Sequence, residues 1–222
     1  MQHYSRIVIL FVFTFTVCPV FAASKVHMLA LGRPTNVRVL VGPNEDKPVE
    51  LKVRSLYVDG KLKEFTFGSA HDVTERLFVV RRIVRVNDAL SEDNAPRWTW
   101  QRSGWLIVDR ISAHVSQANL AEFDPEYSAS GWFRDYVAYC GVSDDGKKLF
   151  AIVAQLGRHK SIFKKSLGEV PALDSGDNLC GVPTWQRQPT RVTFITKAGE
   201  KFTYEVRARS VEVVTEDDDD GD

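Results

Sequence analysis

Apolar and polar residues alternate along much of the chain with a period of two. In PVELKVRSLYV the apolar Val49, Leu51, Val53 and Tyr57 are separated by Glu50, Lys52 and Arg54, as in a strand with one wet face. Phe202, Tyr204 and Val206 alternate in the same way with Thr203, Glu205 and Arg207, and Val37, Val39 and Val41 repeat the pattern over a shorter run. Stripes at helical spacing are scarce. In HDVTERL, Asp72 and Glu75 stand at capping-box separation, which predicts at most one helical turn. Four glycine turns divide the strands: Asp59-Gly60, Ser103-Gly104, Asp145-Gly146 and Ala198-Gly199, each placing glycine where a tight hairpin or bulged turn calls for positive φ. The expectation is an all-β single domain of antiparallel hairpins. The turn glycines lie 44, 42 and 53 residues apart, near the repeat of a four-stranded propeller blade. A sandwich or barrel of eight to ten strands fits the pattern as well.

The most apolar strands flank the turn VSDDGKK. Both faces of Tyr136 to Val142 and of Leu149 to Gln155 are largely apolar, which places them in the middle of a sheet. The turn itself comes near a nucleophile elbow, but the position two after Ser143 is Asp145 instead of glycine, and a strand follows where a helix is required. Ser143 is therefore expected to close a turn, with Asp144 and Asp145 bonding backbone amides. The segment SDDGKKLFAIVAQ resembles the inner hairpin of TolB-type β-propeller blades, and WFRDYVAYCGVSDDGKK resembles a segment of uncharacterised exported bacterial proteins. The likeness covers about 13 residues. It implies an architecture and a protein-binding role and carries over no catalytic residue.

Residues 1–22 have the form of an export signal: Arg6, an apolar run from Ile7 to Phe21, and Val20-Phe21-Ala22 as the cleavage site. That run falls short of the roughly 20 residues of a membrane span, and Cys18 lacks the neighbours of a lipoprotein site. The remaining chain, from Ala23, holds no second run of spanning length, so a periplasmic or secreted protein is expected. Two cysteines remain, Cys140 and Cys180, and in an oxidising compartment they are expected to pair. Cys180 lies in an irregular stretch, 168–190, rich in proline and glycine. The body from residue 23 to 214 carries 28 basic residues against 23 acidic ones, a net of about +5, and 215–222 ends the chain with six acids. That acidic tail is expected to be disordered; its Asp218 to Asp222 lack the distal bidentate glutamate of a calcium loop.

Candidate chemistry is sparse. No histidine pair has metal-ligand spacing, so no metal and no cofactor is expected. The local group of mixed donors is His71, Asp72 and Glu75, the candidates for an acid–base site, whose bland alternative is a hydrated turn. Trp98 and Trp100 share a strand face, and with Trp105 across the expected Ser103-Gly104 turn they would make a platform for a sugar ring or a proline-rich peptide; a core role is the commoner use of such residues. Arg158, Lys160, Lys164 and Lys165 in GRHKSIFKK would suit an anionic glycan or headgroup, or else guard a strand edge. Near-neutral charge argues against nucleic acid. The reading is an exported cell-envelope module that binds a protein or a glycan without catalysing a reaction, with an envelope hydrolase built on His71 and Asp72 as the alternative.

Overall fold

The computed structural model describes residues 26–41, 47–172, 178–207 and 210–213. The expected export signal, Cys18 and the acidic tail lie outside these residues. Within them the chain is all-β, with fifteen strands and no helix. Three antiparallel sheets result, and no closed barrel is formed.

The first sheet contains β1 (Leu29–Leu31), β2 (Thr35–Val41), β3 (Lys47–Val58), β4 (Lys61–Asp72), β5 (Leu77–Asn87), β6 (Trp98–Asp109) and β7 (Val115–Ala118). Strands β3 to β7 follow one another as a meander, while β1 and β2 lie end to end along the edge of β3 that β4 does not use. Asp59-Gly60, with φ of 50° and 75°, turns β3 into β4. Ser103-Gly104 does not turn the chain: β6 runs through it without a break. Between the pairs Arg81↔Trp105 and Ile83↔Arg102, two residues of β6 face one of β5, which makes this glycine the site of a β-bulge. A second irregularity in β4, at residues 68–70 opposite Val80, inserts two residues. Bulges bend a strand and increase its twist, and this sheet packs a core on each face. Val39, Val53 and Ile83 form one cluster with Phe65, Phe67 and Trp100. Leu56, Phe78, Val80, Leu106 and Val108 form the other. Consecutive β5 residues serve opposite faces, so Phe78 and Val80 belong to one core and Val79, Arg81 and Ile83 to the other side. The turns at one end are tied by Asp109, buried under Arg76 and accepting the amides of Ile111 and Ser112; these bonds, the arginine's first, hold its carboxyl well below the usual range.

The second sheet, in the order β11-β10-β9-β8, comprises β8 (Ser130–Phe133), β9 (Tyr136–Val142), β10 (Lys148–Gln155) and β11 (Phe163–Glu169). The third is the meander β12 (Thr184–Gln186), β13 (Arg191–Ile195), β14 (Lys201–Arg207) and β15 (Ser210–Val213). Among its described residues, the expected irregular stretch 168–190 holds the last residues of β11 and the short strand β12. The apolar strands β9 and β10 are central, as their two-sided pattern requires. Their small residues Ala138, Cys140 and Ala151 share a core with the large Phe194 and Tyr204 of the third sheet, a small-against-large fit that lets the two sheets pack closely. Cys140 and Cys180 form a disulfide with Cα atoms 6.0 Å apart. Cys180 also bridges to Thr196, and Gly181 N–H donates to Ile195 O at 2.9 Å, so the connection from β11 to β12 is fixed to both sheets.

On its other face the second sheet buries Val137, Tyr139 and Ile152 beneath Leu120, Phe123 and Trp132. The segment from Leu120 to Ser128 therefore lies between the first sheet and the second. Tyr139 donates its hydroxyl to Ala121 O and Ser128 donates to Cys140 O, both at 2.7 Å. From the other side Arg81 donates to Pro125 O at 2.7 Å, with its guanidinium 4.9 Å from the Phe123 ring centroid. Burial, and then the neighbouring Arg102, lower the Arg81 guanidinium to about 10, so it remains charged at neutral pH. It acts as a half-buried strut whose charge is met by backbone carbonyls and ring faces.

Candidate functional site

Successive residues of a strand point to opposite faces, and this decides the fate of the expected acid–base group at the end of β4. His71 turns toward the second sheet. Its Nε2–H donates to Arg134 O at 2.8 Å, and its ring stacks on Trp132 with centroids 5.8 Å apart. Asp72 turns the other way and accepts from Arg110. Glu75 sits in the turn between β4 and β5, where its carbonyl oxygen accepts from Arg110 at 3.2 Å. That turn is capped by Thr74, whose Oγ1 accepts the amides of Arg76 and Leu77 at 3.2 and 2.9 Å, in place of the helical turn expected from Asp72 and Glu75. The fold does not bring His71 and Asp72 together, and among the described residues no three His, Cys, Asp or Glu side chains are grouped to hold a metal. Ser143 closes its hairpin: its Oγ donates to Asp145 and accepts Lys148 N–H at 2.9 Å. The Ser143 bond first, and then the Lys147 N–H that Asp145 also accepts at 3.2 Å, lower the Asp145 carboxyl.

The tryptophans separate. Trp105 is buried against Trp132, centroids 5.2 Å apart, because the bulge at Ser103-Gly104 carries β6 straight on into the contact with the second sheet. It cannot share an open platform with Trp98. Trp98 and Trp100 do share a face with Arg85, whose guanidinium lies 5.3 and 5.6 Å from their ring centroids, but Trp100 is also packed edge-on against Phe65. Trp98 alone of the three is largely exposed, at 54%. The basic residues of the β10–β11 region do not converge either. Lys164 pairs with Glu122 and lies over Phe150, while Lys165, on the opposite face of β11, lies over Tyr204. Arg158 and Lys160 are exposed in the preceding turn. Since β11 is the sheet's outer strand, these lysines stand where edge protection needs them.

Among the described residues, two of the surface depressions reach several hundred Å³. One, of about 560 Å³, runs beside β1 and is floored by Leu29, Leu56 and Phe78. The larger, about 820 Å³, opens where all three sheets meet, between Asp72 of the first, Phe133 and Arg134 of the second, and Arg187, Gln188 and Thr190 of the third. Its parts are held from behind. Arg134 sits at the tip of the β8–β9 turn with φ of 53°, its carbonyl taken by His71. Leu156 N–H donates to Asp135 O, and Gln155 donates to the Asp135 carboxylate at 2.7 Å. Phe133 stacks on Trp185, centroids 5.6 Å apart. Across the cleft, Thr190 donates its hydroxyl to Arg187 O at 3.2 Å. The Asp72 charge is already met by Arg110. Among the described residues neither the Arg134 nor the Arg187 guanidinium meets a carboxylate.

Neither Arg134 nor Arg187 is marked by a linear motif. Their meeting depends on three turns distant in sequence, and the available hint was WFRDYV, a two-residue connection between apolar runs. No known protein family, curated protein or solved structure matches the chain. Among the described residues no helix is long and apolar enough to cross a membrane.

Proposed function

We propose that the protein is an exported cell-envelope binding module that carries out no chemistry of its own. The observation that supports this reading most is where the reactive side chains are engaged. His71 is bonded to a backbone carbonyl and stacked on an indole, Asp72 is paired with Arg110, and Ser143 is tied into a turn. The larger of the two depressions, in contrast, presents the guanidinium groups of Arg134 and Arg187, which meet no carboxylate among the described residues. The cleft has the volume of a ligand site, and its mainly polar lining suits a polar or charged ligand. The disulfide suits a chain that matures in an oxidising compartment, and three interlocked sheets give such a site a rigid frame. The partner is an envelope protein or an envelope glycan.

The test is co-sedimentation of the purified chain with isolated envelope fractions, combined with mass spectrometry of the supernatant. Saturable retention with no product that grows with time is expected. A low-molecular-weight product released in proportion to the amount of protein would replace this reading with a hydrolase.

A further inference from the structure

The geometry points to the cleft at the three-sheet junction as an oxyanion site, in which Arg134 and Arg187 together receive a carboxylate or phosphate group. This rests on the binding-module reading and specifies its ligand class. Three observations carry it. First, Arg134 and Arg187 belong to different sheets and line one cleft of about 820 Å³, so an anion seated there is approached from two sides. Second, the one carboxylate of the lining, Asp72, is neutralised by Arg110, which leaves the two guanidinium charges uncompensated among the described residues. Planar guanidinium forks match carboxylate and phosphate oxygens in a way that a lysine does not.

Third, the residues behind the cleft fix the Arg134 side of it. His71 holds the Arg134 carbonyl, Asp135 is bonded to Gln155 and Leu156, the Arg134 guanidinium lies 5.4 Å from the Phe133 ring centroid, and that ring is braced by Trp185. The Arg134 turn is thus fixed before any ligand arrives, which reduces the ordering cost of binding. A single small anion between two exposed arginines is bound weakly; the remainder of a larger polar ligand would contact Gln188, Thr190 and Phe133.

The experiment titrates the full chain at low ionic strength with inorganic phosphate and, separately, with glucuronate. The side-chain Nε–Hε resonances of Arg134 and Arg187 are followed in ¹H–¹⁵N spectra. Both should shift saturably with one dissociation constant, and Arg134→Ala or Arg187→Ala should weaken binding by about tenfold. Arg158→Ala, outside the cleft, should leave the constant unchanged and controls for general charge. Phosphatidylglycerol vesicles and a glucuronate oligomer then separate a lipid phosphate from a polymer carboxylate as the source of the anion. Saturable shifts confined to Arg158 and its neighbours, no saturable shift at all, or an unchanged constant in both cleft variants would each overturn the site. Retention on envelope fractions without these shifts overturns the site and leaves the binding module standing. Shifts without retention on any fraction do the reverse.

Discussion

Gly131→Ala will lower the melting temperature by roughly 6–12 °C, corresponding to about 3 kcal/mol in a chain of this size. A Cβ at this position would lie 2.1 Å from Pro183 O and 3.1 Å from the Pro183 carbonyl carbon. Both neighbours are backbone, so no side chain can rotate away to make room. Gly131 is on β8, paired with Ala138 of β9, and Pro183 directly precedes β12; the substitution therefore has to push the second and third sheets apart at one edge. That movement breaks the hydrogen bond from Trp185 Nε1 to Gly131 O, 3.0 Å long, and shifts the ring on which Phe133 is stacked. Gly181→Ala is the matched control. Its Cβ would meet nothing nearer than 3.7 Å, and its melting temperature should stay within about 2 °C of the wild type. Thermal unfolding followed by circular dichroism separates the two. Equal tolerance at both positions would mean that the sheets are not in contact at Gly131.

Removing the disulfide by Cys140→Ala with Cys180→Ala should cost about 4 kcal/mol, the loop-closure entropy of a crosslink spanning 40 residues. Both positions are buried, so alanine is the appropriate replacement and serine would add an unpaired hydroxyl. The variant should unfold at lower denaturant concentration. Reductant should lower the stability of the wild-type chain and leave that of the double variant unchanged. A reductant-insensitive wild type, or free thiols found at both cysteines by mass spectrometry without reduction, would contradict the pairing. The loss would extend to the cleft. The pinned connection delivers Pro183 and Trp185 against β8, so a loosened connection frees Phe133 and displaces Arg187 relative to Arg134.

The sequence carried the core more clearly than the cleft. The two-sided apolar pattern of Tyr136 to Val142 and Leu149 to Gln155 placed β9 and β10 centrally because a strand covered on both faces has no reason to alternate. Cys140 and Cys180 were legible because, once the first 22 residues are read as a cleaved export signal, two thiols leave one intramolecular pairing to make. The glycine turn Asp145-Gly146 was legible from its residue types, and Ser143 and Asp145 close it. Ser103-Gly104 misled because glycine serves turns and bulges alike; the distinction lies in whether the neighbouring strand continues alongside, which is a property of the partner β5 and not of the local residues. The expected platform of Trp98, Trp100 and Trp105 failed with it, since the bulge sends Trp105 into the contact with Trp132. His71 and Asp72 looked like a donor pair because they are adjacent in sequence, yet adjacency on a strand is what separates them. The placement of Arg134 and Arg187 on one cleft had no signal in the chain beyond the short connection WFRDYV. It arises from three turns on three sheets, and no spacing encodes it.

The central claim is that the junction cleft is the binding face. Hydrogen–deuterium exchange of the full chain, alone and with the envelope component that retains it, tests this most directly. The account predicts slowed exchange in peptides covering residues 70–75, 132–136 and 186–191, with the remainder of the surface unchanged. Protection confined to the groove beside β1 or to the strand around Trp98 and Trp100, with these three turns unaffected, would contradict it.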